Sequence, residues 1–326
     1  MSKIRVGVLR GGPSSEYEVS LRTGASVLKN LSDSYQAQDI FISKDGLWHK
    51  GGIPYKPGEI IKHLDVVFNA LHGEYGEDGG VQHLLDTFAI PYTGSGYLAS
   101  ALGMNKVLAK KVFTQHGIKT PHHKTLKKGQ YSHTDIVDLF KTFPMPAVVK
   151  PVRAGSSVGV SIARTVHELE QALAKAFAYD TEALIEEYIS GREATCGVIE
   201  GFRGEAMYSL LPVEIIPDAG REFFDHEAKY AGKSKEICPG NFLAQEIKTI
   251  QDASVAVHKA LSLRHYSRSD FIVHPKRGIY ILEVNTLPGL TDESLFPLSL
   301  TAVGSTLSEF LDHVLHSTLK NNHVQH

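Results

Sequence analysis

Cysteine is scarce in this chain of 326 residues: two occur, Cys196 and Cys238, far apart in the sequence. They make neither a disulfide framework nor a thiolate metal site, which suits a reducing cytoplasm. Long apolar runs are missing too. The longest are of strand length, far short of the ~20 residues a transmembrane helix needs, so no membrane partner is expected. No charge of one sign prevails: 34 Lys+Arg stand against 36 Asp+Glu, a net charge of −2. That balance removes the simplest electrostatic case for a nucleic-acid partner or a polybasic membrane surface. The opening residues, Met1 to Arg5, run straight into a strand pattern, so a signal peptide is not expected. The 17 histidines are scattered, without HExxH or HxxxH spacing, and a GxxxxGK[ST] phosphate loop is absent. What is present is ordinary for a folded soluble enzyme: 42% hydrophobic and 21% charged residues. At about 150 residues per domain the length suggests two domains, or three smaller ones.

The first hundred residues alternate strand and helix signals. Strands are expected at 4–9, 40–42, 66–71 and 90–92, with helices over 16–31 and 81–88. This βαβ rhythm predicts an α/β fold opening with a doubly wound parallel sheet, whose ligand loops follow strand C-termini. A second unit follows, with a helix at 106–116, strands at 147–150, 160–162 and 183–186, and a helix at 167–178. The third is strand-rich to 217, then has a helix at 244–261, a strand pair at 269–273 and 279–284, and a helix at 300–319. The polar stretch 218–239 is too long for an ordinary connection and reads as a lid. The overall class is α+β, divided at 1–103, 104–189 and 190–326.

Four motifs carry chemistry. Gly94-Ser95-Gly96-Tyr97-Leu98-Ala99 fits GxGxxG/A, but no acidic residue lies between Asp86 and Asp135 to meet a ribose, so a structural turn is the better reading. The loop 153–159, Arg-Ala-Gly-Ser-Ser-Val-Gly, joins two strands and would let backbone N–H groups approach phosphate, with Lys150 just upstream; a Gly-Ser hairpin with a snorkelling lysine is the alternative. Glu283 and Asn285 project from one strand face, and a hairpin would bring Asp270 to them, a hard oxygen set suited to Mg²⁺. An exposed polar sheet face competes with that, although Asp and Asn are poor strand formers. Ser15-Glu16-Tyr17-Glu18 reads as a capping box that explains Glu18, leaving Glu16 for the helix dipole or a substrate ammonium.

Taken together, these segments resemble the D-alanine–D-alanine ligase family of the ATP-grasp superfamily over nearly the whole chain. The resemblance is carried by Gly11, Gly12, Ser14, Glu16, Glu18, Val19 and Ser20, then by Ala70-Leu71-His72-Gly73 with Gly76-Glu77-Asp78-Gly79. Pro91-Tyr92-Thr93-Gly94-Ser95-Gly96 follows and explains the false dinucleotide signal, then Val149-Lys150-Pro151 and Gly155-Ser156-Ser157-Val158-Gly159. Glu227-Ala228-Lys229-Tyr230 and Glu283-Val284-Asn285-Thr286-Leu287-Pro288-Gly289-Leu290-Thr291 complete it.

The resemblance implies a three-domain ATP-grasp fold holding ATP between the central and C-terminal domains. Lys106, Lys150, Ser157 and Lys229 would meet its phosphates, Glu186, Glu187, Tyr188 and Ile189 its adenine, and Glu193 its ribose. Asp270, Glu283 and Asn285 would hold two Mg²⁺ ions, with Mn²⁺ a possible substitute. Glu16 would bind the first D-alanine's ammonium in a network with Ser156 and Tyr230, with His72 beside it. Arg268 and the backbone of Gly289 would face the tetrahedral oxyanion, and Ser294 with Leu295 the second D-alanine. The implied reaction phosphorylates the first D-alanine and lets the second one's amine displace phosphate, in peptidoglycan precursor synthesis by a cytoplasmic homodimer. The chain departs from the family pattern at Ala154, usually Glu, at Ser267, usually Gly, and at Tyr17, often basic. A related ligase taking D-lactate, or a nucleotide-binding regulatory module without turnover, are the competing readings.

Overall fold

A computed structural model describes residues 3–217 and 234–322. The chain opens with β1 (Ile4–Gly11), α1 (Tyr17–Asn30), β2 (Tyr35–Ile42), β3 (Trp48–Lys50), β4 (Ile53–Tyr55), α2 (Pro57–Ile61), β5 (Val66–Asn69), α3 (Gly80–Thr87) and α4 (Tyr97–Met104). The sheet order is β4-β3-β2-β1-β5, with β1 parallel to both β2 and β5. The parallel part matches the βαβ reading, and β3 and β4 extend it as an antiparallel hairpin. That hairpin turns on Gly51 and Gly52 at φ of 60° and 80°, the positive pair that a two-residue turn requires. The strand expected at 90–92 shrinks to one bridge between Val67 and Tyr92. Pro91 accepts from Val67 N–H but has no N–H of its own to extend a ladder. The capping box also fails to form. Glu16 is the residue before α1 and caps nothing with its side chain, while Ser15 N–H and Oγ both turn to Glu74.

The second sheet is built from β6 (His123–Lys127), β7 (Ala147–Pro151), β8 (Ser161–Ala163) and β9 (Glu182–Glu187), in the order β6-β9-β7-β8 and antiparallel throughout. Helices α5 (Lys106–Gln115), α6 (His133–Thr142) and α7 (Val166–Ala176) lie in the same stretch. Leu139, Leu169, Leu173 and Ala176 of α6 and α7 bury against Val149 and Ile185. Neither β6 nor α6 is apparent in the sequence pattern. β6 is an edge strand rich in lysine, so it lacks the alternation that marks a strand with one covered face.

The third sheet orders β13-β12-β10-β14-β15, with β11 beside β10. Its strands are β10 (Arg192–Glu200), β11 (Met207–Ser209), β12 (Val213–Pro217), β13 (Ser234–Ile237), β14 (Tyr266–His274) and β15 (Gly278–Asn285). The helices are α8 (Ala244–Ala260), α9 (Leu295–Ala302) and α10 (Leu307–Asn322). The single helix expected over 300–319 is therefore two. Gly304 at φ 69° ends the first, and Thr306 with Glu309 caps the second, each backbone N–H meeting the other's side chain at 3.1 Å.

Core membership does not follow chain order. Val6, Val8, Val66 and Phe68 of the first sheet share one cluster with Phe296, Phe310, Leu311 and Val314 of α9 and α10. Ala109 and Phe113 of α5 join Val257 of α8 and Phe271 and Ile281 of the third sheet. Among the described residues no helix is long and apolar enough to cross a membrane.

Candidate active site

A cleft of about 1050 Å³, open mouth included, separates the second and third sheets. Lys106, Lys150, Ser157, Glu186, Glu187, Tyr188, Ile189, Glu193, Asp270, Glu283 and Leu295 all line it. Lys106 opens α5, whose preceding Asn105 caps the helix through its side chain. Its ammonium donates to the Ala154 carbonyl at 2.8 Å and lies 3.2 Å from Glu283. Because that contact uses a backbone atom, the Ala154 departure leaves it intact. Lys150 on β7 and Glu186 on β9 are diagonal neighbours, both nearly sealed from water, and their charged groups touch. Glu187 points elsewhere: its carboxylate takes Arg277 at 3.0 Å and the His122 N–H at 3.1 Å.

The hairpin β14–β15 supplies the acidic wall. Asp270 stands directly opposite Glu283, and Arg268 opposite Asn285, so all four polar side chains share one face. A register shift after Asp270 leaves Leu282 unpaired and re-aims the strand at this point. Arg268 grips Asp270 with two bonds of 3.0 Å, Asn285 adds one of 3.1 Å and Thr195 one of 2.5 Å. Among the described residues no group of three or more His, Cys, Asp or Glu could hold a metal. The set here is two carboxylates and an amide. Those hard oxygens fit a divalent ion such as Mg²⁺, and Arg268 and Lys106 lie against the two carboxylates.

A second pocket adjoins the first and shares Arg268 and Leu295 with it. Glu16, His72, Ser156, Gly289 and Ser294 line it, together with Arg22, Glu77, Glu236 and Glu293, to which the sequence reading gave no role. Ser156 Oγ donates to Glu16 at 2.6 Å, joining the loop after β1 to the loop after β7. Ser156 and Ser157 have φ of 49° and 56°, unusual for non-glycine residues. His72 lies 2.8 Å from Thr23 Oγ1 and 3.7 Å from Glu77. Glu77 also accepts from Thr286 Oγ1 and the Leu287 N–H, both at 3.2 Å, and so ties the His72 loop to the segment carrying Gly289. Ser294 precedes α9 and shares its hydroxyl with Thr291 at 2.8 Å.

Lys229 and Tyr230 lie outside the described residues, as do residues 218–233 of the stretch 218–239 expected as a lid. The far end of that stretch is not loop throughout: Ser234–Ile237 is β13, paired with β12. Of the other departures, Ser267 is buried and bonds His258 at 2.7 Å, and Tyr17 carries the Lys44 ammonium 4.8 Å above its ring.

Gly155 decides whether Glu16 can sit where it does. A Cβ there would lie 2.0 Å from Glu16 Oε1, the end of a flexible side chain. Gly155→Ala is therefore expected to leave the melting temperature within a few degrees while pushing the carboxylate aside. The KM for the amino-acid substrate that the resemblance implies should rise about tenfold or more, the loss of one charge-assisted hydrogen bond. Unchanged KM would remove Glu16 from the substrate site.

The family models described as D-ala D-ala ligase N-terminus and D-ala D-ala ligase C-terminus match residues 5–56 with 49–95, and residues 112–316. The chain belongs to the D-alanine–D-alanine ligase family. A D-alanine–D-alanine ligase of Geobacter sulfurreducens is 41% identical over 315 residues, covering 95% of this chain and 93% of the relative. Among solved structures, the VanG D-Ala:D-Ser ligase from Enterococcus faecalis is 32% identical at a TM-score of 0.86, covering 97% of this chain and 100% of that one. The D-alanine–D-alanine ligase from Coxiella burnetii is 26% identical at 0.85, with 100% and 96% covered. The chain thus has the ATP-grasp fold of this ligase family.

Proposed function

We propose that this chain joins two D-alanines into D-alanyl-D-alanine at the expense of ATP, through a D-alanyl phosphate, for peptidoglycan precursor synthesis. The observation that carries this is the shared wall: Arg268 and Leu295 line both the cleft with paired lysines and the pocket holding Glu16. A phosphoryl donor in the first pocket and a small amino acid in the second would meet at Arg268.

A free carboxylate resists attack by an amine because its oxygen is a poor leaving group, so it must first be activated. Lys106, Lys150, Ser157 and Lys229 hold the ATP phosphates, Glu186, Glu187, Tyr188 and Ile189 line the base, and Glu193 meets the ribose. Glu16, with Ser156 and Tyr230, fixes the first D-alanine by its ammonium, and His72 packs beside it. The lysines offset repulsion as the substrate carboxylate meets the γ-phosphoryl group. Asp270, Glu283 and Asn285 would hold Mg²⁺, two ions in all, which neutralise phosphate charge when bound. Ser294 and Leu295 then orient the second D-alanine so that its uncharged amine reaches the acyl carbon. Arg268 and the Gly289 backbone face the oxyanion of the tetrahedral intermediate, and phosphate leaves. Lid closure over the site keeps water from the acyl phosphate. The same reading divides the chain at 1–103, 104–189 and 190–326 and makes it a cytoplasmic homodimer.

The similarity to a D-Ala:D-Ser ligase keeps D-serine as a second acceptor to test. ADP release should be measured with D-alanine alone and with D-alanine paired with D-serine or D-lactate. D-alanyl-D-alanine is expected to dominate in competition at neutral pH. A predominant D-serine or D-lactate product would reassign the acceptor. Nucleotide binding without ADP release under any pairing would favour a regulatory module.

A further inference from the structure

Lys110 lies one helical turn beyond Lys106 on α5, and water reaches none of it. Its ammonium sits against one oxygen of Glu186, and the Lys150 ammonium sits against the other. Lys110 also donates to Thr120 Oγ1 at 2.6 Å, and Thr120 in turn donates to the Ile281 carbonyl at 3.0 Å. Lys150 and Glu186 line the nucleotide cleft and Lys110 does not. Two cations thus share Glu186, while the next carboxylate, Glu283, already pairs with Lys106, so one positive charge is in surplus. Burying a surplus ammonium is costly, so the arrangement asks for a reason.

We propose that Lys110 is a positioning residue that releases Lys150 to the phosphates of a bound nucleotide by staying behind as the counter-ion of Glu186. The proposal rests on reading this cleft as the ATP site. When Lys150 turns toward a polyphosphate, it leaves Glu186. With Lys110 in place the group left behind is a neutral pair, and the repulsion between the two ammonium groups is relieved. Without Lys110, the departure would strand a buried carboxylate, and that penalty would hold Lys150 in place. Both ammonium groups are charged at neutral pH. Burial lowers the Lys110 pKa to about 8, with Lys150 pushing the same way. For Lys150 burial is outweighed by attraction to Glu186 and Glu283, so its pKa rises.

The test compares ADP with adenosine, which lacks the phosphates, by calorimetry on the full chain with Mg²⁺ present. In Lys110→Met, adenosine should bind within about twofold of the unaltered chain, while ADP should bind about tenfold or more weakly. The double variant Lys110→Met/Glu186→Gln should regain most of the lost ADP-to-adenosine ratio, because Lys150 then leaves no charge behind. Should Lys110→Met not fold, Thr120→Val loosens the same ammonium without changing charge and should lower the ratio about threefold. An unchanged ratio in these variants would overturn the proposal, as would equal losses for both ligands or no recovery in the double variant. If the unaltered chain bound neither ligand, the nucleotide reading itself would fall.

Discussion

Glu283→Gln is expected to lower kcat for ADP release about 1000-fold, roughly 4 kcal/mol of transition-state stabilisation, with the fold intact. The side chain stands opposite Asp270 on the polar face of β15, and its carboxylate lies 3.2 Å from the Lys106 ammonium. Glutamine keeps the shape and can still accept from Lys106, so that nearly buried cation keeps a polar partner and the packing of α5 should not change. What is lost is the negative charge, and with it most of the attraction for a divalent ion beside the phosphates. The measurements are ADP release over a Mg²⁺ titration and a thermal melt of the same sample. Near-normal turnover at saturating Mg²⁺ would overturn the assignment of Glu283, and a collapsed melt would mean that the pair with Lys106 is structural.

Phe310→Ala should destabilise the whole chain by about 3–5 kcal/mol, the usual cost of deleting a buried ring. Phe310 is fully buried on α10, packed edge-on against Tyr266 at 5.1 Å and against Phe296 at 5.2 Å. The same cluster includes Val6, Val8 and Phe68 of the first sheet. The cavity would thus open where the C-terminal helices cover the N-terminal strands. A urea titration followed by far-UV circular dichroism and by fluorescence of Trp48, which lies in the first sheet, should show both signals moving together to a lower midpoint. A shift confined to circular dichroism, with the Trp48 transition in place, would mean that the first sheet does not depend on this shared core.

Local patterns in the sequence account for much of this molecule. Apolar runs and the glycines after β1 and β5 give the βαβ order, since a strand buried on both faces must be apolar and its ligand loop must turn tightly. The spacing of Glu283 and Asn285 places both on one sheet face, and a hairpin partner bearing Asp270 follows from two adjacent strand signals. Elements that were illegible fail for local reasons. β6 is a charged edge strand in which only Leu126 packs on the core, so no apolar alternation marks it. The division of 300–319 into two helices rests on Gly304 and on a Thr306-to-Glu309 cap that is visible in the sequence once sought.

Family resemblance supplied the expected roles of Ser156 and Arg268, which no local pattern carries. The sequence by itself determined the fold class, the reaction family and the face on which Asp270, Glu283 and Asn285 stand, because these depend on periodicity and on motifs a few residues long. Only the tertiary structure decided that α5 packs on the third sheet, that α10 returns to the first, and that Lys110 shares Glu186 with Lys150. Those contacts join residues dozens to hundreds of positions apart, and a lysine on an amphipathic helix looks the same in sequence whether its ammonium meets water or a buried carboxylate. Which it meets is settled by the surface that covers the helix, and that surface comes from another part of the chain.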